Sequence, residues 1–219
     1  DVHIAVNADY MEDTDEERTK CYLKHLKEIG VKIHNIHFAR SPFSASNMDA
    51  YKKLKYIIES NKFDLIHCHT PTVSMMTRIA ARNARKRSTV VMYTCHGFHF
   101  HNASPKKNWI VYYPIERFMS RFTDYIVTIN KEDFNRAKSF HAKHVRYIPG
   151  VGVDVTQIKN TVVDNNQVKK SIGVPENGIL ILSVGEMIER KNHEVIIQAL
   201  SKLRNPNIYY AIAGKGPLK

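Results

Sequence analysis

The chain has 219 residues, enough for one complete domain and part of another, and its 43% apolar and 25% charged content is that of an ordinary globular protein. Lys and Arg, 33 in all, exceed the 21 Asp and Glu by 12, which favours phosphorylated small molecules, anionic lipid or nucleic acid as partners. No run of about eighteen apolar residues is present and the N-terminus has no signal-peptide pattern, so a spanning helix is not expected and a cytosolic chain is, trimmed at its start because it lacks an initial Met.

Short β-branched runs predict strands over 2–6, 31–38, 64–68, 89–95, 125–129, 145–148, 179–184 and 208–213. Between most of them the apolar spacing turns helical. Tyr22, Leu23, Leu26 and Ile29 recur at three and four and end at Gly30, Tyr51, Leu54, Ile57 and Ile58 repeat the pattern, and so do Val195, Ile196, Leu200 and Leu203. Strands such as "TVVMYTC" and "ILILSVG" are apolar on both faces, as a parallel sheet covered by helices requires, so the alternation predicts a doubly wound α/β fold. The rhythm breaks between Pro149 and Gly178, a stretch rich in Gly, Asn and Asp that reads as a connection. The expected organisation is a first domain over 1–150, a connection over 151–177 and a partial second domain over 178–219, whose single β-α-β unit cannot bury both of its faces.

Open parallel sheets bind ligands beyond the carboxyl ends of their strands, and polar clusters stand there: "HCHT", "CHGFHFH", "NKED", "GEMIERKN" and "GKGP". His67 and His69, two apart on one strand, share a face, and His96 or Cys95 could complete a metal site. "DLIHCHT" also resembles the His-x-His strand of metal-dependent amidohydrolases, but the barrel and the later ligands of such enzymes find no place here, and packing or hydrogen-bonded lining is favoured over zinc. Cys95 and His96 point to opposite faces and form no thiolate pair. With Cys21 and Cys68, Cys95 makes an odd set of cysteines within apolar segments, read as reduced, buried thiols. The basic run Arg82-Asn-Ala-Arg-Lys-Arg87 reads as a solvated helix end, and the absence of interleaved stacking aromatics argues against nucleic acid as a partner.

Phosphate recognition is the stronger signal in the C-terminal part. The loop from Gly185 to Asn192 leads into a helix whose first N–H groups and dipole favour an anion, with Arg190 and Lys191 placed to hold a diphosphate. Gly214 and Gly216 add a second turn, where missing side chains would let a ligand approach the backbone.

Taken in order, "FDLIHCHTP", "YTCHGFHFHN" with the segment through "INKEDFNRAK", "YIPGVGVD", "ILSVGEMIERKNHEVIIQAL" and "AIAGKGPLK" resemble family 4 of the glycosyltransferases, above all the bacterial members that build capsular and exopolysaccharide repeat units. The resemblance covers most of the chain. It implies the GT-B architecture: an N-terminal Rossmann-like domain for the acceptor and a C-terminal one for a nucleotide sugar, usually UDP-linked, with retaining transfer and no bound metal or other cofactor. By position it implies that His96 reaches the donor sugar near the reaction centre and that Lys191 holds the donor diphosphate. Glu186 stands where the family usually has an arginine, so the resemblance leaves two expectations: Arg190 substitutes from the next turn, or Lys191 and backbone N–H groups hold the phosphate alone. The family's pair of glutamates would lie beyond Lys219, and residues 1–6 resemble its second strand, so this piece is expected to be truncated at both ends and to turn over slowly. Arg40, Phe98 and His99 are candidate acceptor contacts. The positive charge fits docking of a cytoplasmic, peripheral enzyme on an anionic inner membrane face, where a saccharide or lipid-linked acceptor would be met. The rival readings are a nucleotide-sugar epimerase of the same architecture and a metal-dependent hydrolase using His67 and His69.

Overall fold

A computed structural model of the chain describes residues 1–8, 16–39, 41, 44–150 and 152–218, with Glu16 as backbone only. It divides into two compact units, Asp1–Gly152 and Val153–Lys219.

The first unit runs β1 (His3–Val6), α1 (Glu16–Glu28), β2 (Lys32–Asn35), α2 (Ser46–Ser60), β3 (Leu65–His69), α3 (Pro71–Ala80), α4 (Arg82–Lys86), β4 (Val90–Cys95), α5 (Lys106–Met119), β5 (Tyr125–Thr128), α6 (Lys131–Ala137) and β6 (His144–Tyr147). Its described strands are all parallel, in the order β3-β4-β5-β6 in one sheet and β1-β2 in another. Each expected strand is found, and the main difference is the second, shortened from 31–38 to Lys32–Asn35. Between β1 and β3 lies a cavity of about 640 Å³, walled by residues 3–7 on one side and 65–70 on the other. Gly30, at φ 85°, closes α1 as its period predicted: the Gly30 N–H donates to the Lys27 carbonyl and the Val31 N–H to the Leu26 carbonyl, the paired bonds of a Schellman stop.

Two apolar clusters hold this unit. One joins Ile36, Leu54 and Ile58 to Met76, Ala81 and Val91, so that α2 and α3 pack on the sheet. The other joins Cys68, Tyr93, Cys95 and Ile126 to Phe98, Phe100 and Phe140. Burial pushes the thiols of Cys68 and Cys95 up to about 12, which makes them inert apolar residues. Cys21, expected to be buried with them, is exposed, because its turn of α1 faces solvent.

The second unit contains α7 (Val155–Asn160), α8 (Asn165–Ser171), β7 (Ile179–Val184), α9 (Glu194–Leu203) and β8 (Ile208–Ala213). Part of the stretch read as an irregular connection is therefore helical. Asp154 caps α7 by accepting the Gln157 N–H at 2.8 Å, and Asp164 caps α8 by accepting the Asn166 and Gln167 N–H groups. β7 and β8 pair in parallel, and Leu182 and Val184 remain exposed on the sheet.

Candidate functional site

β3 and β4 are in register His67↔Met92 and His69↔Thr94, so their carboxyl ends lie side by side and the loops that follow them leave from one place. His67 Nε2 is 2.8 Å from Thr94 Oγ1, and the rings of His67 and His69 meet at a tilt of 44° with centroids 4.2 Å apart. His69 Nδ1 lies 3.0 Å from Nε2 of His96, the first residue after β4. Such a contact needs one imidazole to donate and the other to accept. Partial burial, and then the nearby imidazoles, lower the pKa values of His67 and His69, so both favour the neutral form. Among the described residues no three His, Cys, Asp or Glu side chains are placed to hold a metal ion, the His67–His69 pair being engaged with Thr94 and His96.

The backbone on both sides of this pair is unusual. Thr70, which follows His69, has φ 60° and ψ 141°, a costly conformation for a β-branched residue, and its carbonyl accepts the Ser74 N–H in the first turn of α3. Gly97, after His96, has φ 142° with open space around its Cβ direction, so backbone conformation is what calls for glycine there.

From Phe98 the loop alternates. Phe98 and Phe100 turn inward, stacked at 4.7 Å, while His96, His99 and His101 face solvent. Phe98, a candidate acceptor contact by sequence, is only 5% exposed and packs into the aromatic cluster. His99 is exposed with its ring 4.6 Å from Tyr112, and both line a cavity of about 310 Å³ with Met75, Val111 and Ile115. Arg40, the third candidate, lies outside the described residues.

What fixes the loop was missed in the sequence. Asp133, buried at the start of α6, accepts the Phe98 N–H at 3.0 Å and the Asn130 side-chain amide at 2.7 Å, while Asn130 caps α6 by accepting the Asp133 N–H. Glu132 accepts the Asn102 N–H, and Arg136 donates to the Phe100 carbonyl. "NKED" is thus an anchor for the His96 loop. The signal was legible as an Asn cap with an acid three residues on, a pattern that opens helices.

In the second unit the loop after β7 forms a short 3₁₀ turn, Glu189–Lys191, and Asn192 in the left-handed region redirects the chain into α9. A Cβ built on Gly185 would lie 3.7 Å from the Lys191 side chain, an ordinary van der Waals contact. Gly214 and Gly216 are required by the chain itself, because a Cβ on Gly214 would strike the Gly185 carbonyl and one on Gly216 the Met187 backbone. These glycines therefore clamp two strand-end turns together. Arg190 Nη2 stands 3.8 Å from Glu186 in a solvent-exposed ion pair. His193, unmarked in the sequence, ties the loop to the sheet through the Glu186 carbonyl at 3.1 Å and the Tyr210 hydroxyl at 3.3 Å.

A profile of the Glycosyl transferase 4-like family matches residues 2–130. The chain belongs to that family. A second profile, Glycosyl transferases group 1, matches residues 164–219. Among curated relatives, the Bacillus subtilis (strain 168) protein named as glycosyltransferase EpsD is 32% identical over 219 residues, covering 90% of this chain and 58% of that protein. The Escherichia coli UDP-Gal:alpha-D-GlcNAc-diphosphoundecaprenol alpha-1,3-galactosyltransferase is 25% identical over 179 residues, covering 78% of this chain and 46% of that one. The chain thus spans about half the length of the curated relatives it matches. Among solved structures, sucrose-phosphate synthase of Thermosynechococcus elongatus aligns with all of this chain and 64% of its own, with a TM-score of 0.55 at 13% identity, a likeness of fold. In this glycosyl transferase 4-like chain the parallel α/β units are those of the GT-B fold, the architecture that the resemblance implied.

Proposed function

We propose that this protein is a hexosyl-type glycosyltransferase that moves a sugar from a UDP-linked nucleotide sugar to a saccharide or lipid-linked saccharide, with retention, in the building of an exopolysaccharide or capsule. One observation carries the reading within this family: the His69–His96 pair at 3.0 Å, at the carboxyl ends of β3 and β4, on a backbone pinned by α6. The name of the Escherichia coli relative, a UDP-sugar-dependent transferase to a diphosphoundecaprenol acceptor, supports the donor and acceptor classes.

His96 positions the donor sugar, and its bond to His69 fixes which ring nitrogen faces outward. The bond from the anomeric carbon to the phosphate oxygen breaks as the acceptor oxygen bonds to that carbon. The acceptor proton passes to an oxygen of the departing diphosphate, so no strong protein base is called for. Within the second unit, taken by itself, the loop carrying Lys191 and Arg190 and the turns of Gly185, Gly214 and Gly216 is the proposed site for a donor diphosphate, its cations serving in place of a metal. Replacing His96 by Ala in the complete enzyme should lower kcat by about 10²-fold with little change in KM for the donor, by analogy with the loss of one transition-state hydrogen bond. Chelator should leave the wild-type rate unchanged. A kcat unaltered in the variant would remove His96 from the site.

A further inference from the structure

Helix α5 is apolar on the side that faces solvent. Toward the core it sends Trp109, Tyr112, Tyr113 and Met119, together with the buried Glu116, paired with Arg78 at 2.9 Å. On the other side Ile110, Val111, Pro114, Ile115 and Phe118 recur at one and three, the spacing of a single helical stripe, and all are exposed. Ile110 is 75% exposed and Phe118 52%, with Val111 at 42% and Ile115 at 37%. Single exposed apolar residues are commonplace, but a continuous stripe of bulky ones marks a surface that another phase or partner covers.

The ends of the stripe identify that partner. Lys106 and Lys107 open the helix, Arg117 and Arg121 flank its far end, and all four are exposed. Glu116 is the helix's only acid and is withdrawn into its buried pair, so the exposed charge on α5 is entirely positive. A second copy laid on the stripe in either direction would set cations against cations. A bilayer carrying anionic headgroups meets both features, taking the apolar side chains at the acyl boundary and the cations at the phosphates. Val111 and Ile115 also line the 310 Å³ cavity beside His99, so the apolar surface continues into the region of the strand ends.

We propose that α5 is the membrane-docking helix of this protein, lying flat on an anionic bilayer through Ile110, Val111, Ile115 and Phe118. Its use in catalysis rests on the lipid-linked acceptor proposed above, whereas the docking does not. The test is flotation of the full chain with vesicles of phosphatidylcholine alone or with about a third phosphatidylglycerol. Binding should be at least about tenfold tighter to the anionic vesicles and weaken at high salt, in keeping with roughly fivefold for each cation near the surface. Ile110→Glu, made where the side chain is largely in water, and Phe118→Glu, made at a half-exposed ring edge-on to Phe122, should each reduce it about tenfold or more with circular dichroism unchanged. Equal binding to both vesicles, or binding indifferent to both substitutions, would overturn the proposal. So would a concentration-dependent dimer abolished by Phe118→Glu, which would give the stripe to a second copy. Transfer to a water-soluble saccharide by the complete enzyme separates the two readings: transfer without vesicle binding fails the docking alone, and vesicle binding without transfer fails the proposed activity alone.

Discussion

Asp133 sits beneath the loop that follows β4, where its Oδ2 accepts both the Phe98 N–H and the Asn130 amide, so one buried carboxylate sets the path of the residues after His96. Replacing it by Ala would leave the buried Phe98 N–H without an acceptor, at a cost of about 1–3 kcal/mol, and would free the loop to displace His96. We expect urea denaturation of Asp133→Ala to show that loss and the kcat of the complete enzyme to fall with it, while Asp133→Asn, which keeps an acceptor oxygen, recovers part of both. A variant as stable and active as the parent would show that the loop holds itself. His96 was legible because it stands at a strand end, where side chains are free to meet a ligand. Phe98 was not separable from it in the sequence, since both lie in one run of His and Phe; only the alternation of the loop against the core sends Phe98 inward and His99 outward. Asp133 lies 35 residues from the N–H it accepts, a pairing that no local period reveals.

At the level of elements, the strands were the legible part, because apolar β-branched runs bounded by polar ends identify themselves. The helices α3 and α5 were not singled out. α3 starts on a proline, and α5 carries Pro114 inside it and is apolar on both sides, so neither the composition nor the period is that of an ordinary surface helix. What joins them is the Arg78–Glu116 pair, with Arg78 wholly buried, its Cζ 4.4 Å from the Tyr93 ring centre and its Nε donating to the Ser74 carbonyl. Charge removed from water on this scale is costly unless matched, so the two residues stand or fall together. Glu116→Ala should destabilise the fold by roughly 3–5 kcal/mol by leaving Arg78 uncompensated, whereas the double change Arg78→Met with Glu116→Leu should recover most of it. Thermal and urea unfolding of the three proteins decides this. If the double variant is no more stable than Glu116→Ala, the pair is coupled to the rest of α5 by more than its charge.

Across the whole molecule the excess of positive charge is unevenly matched, and the response to acid follows from where the titrating groups sit. His3, His67 and His69 all have lowered pKa values, His3 by partial burial and then by Lys32 and His34, the other two by partial burial and then by neighbouring imidazoles. A histidine whose folded pKa lies below its ordinary 6.5 takes up its proton more readily when unfolded, so it favours the fold fully above 6.5 and opposes it progressively as pH falls. Asp124 adds a second, lower window. Burial opposes its charge, yet hydrogen bonds from Arg85, Lys143 and the Val91 N–H hold its carboxyl at about 2, against an ordinary 3.8. Its contribution is present above 3.8 and lost as pH drops toward 2. The urea midpoint should therefore be flat above pH 7, decline from about 6.5 downward, and fall again below about 4. Substituting His67 or His69 by Gln should flatten the first decline and leave the second, since Gln keeps polarity without titrating. Asp124→Asn should do the reverse. A midpoint that rises as pH falls from 7 to 5 would mean that these imidazoles gain stability on protonation, against the direction that burial and their imidazole neighbours give them.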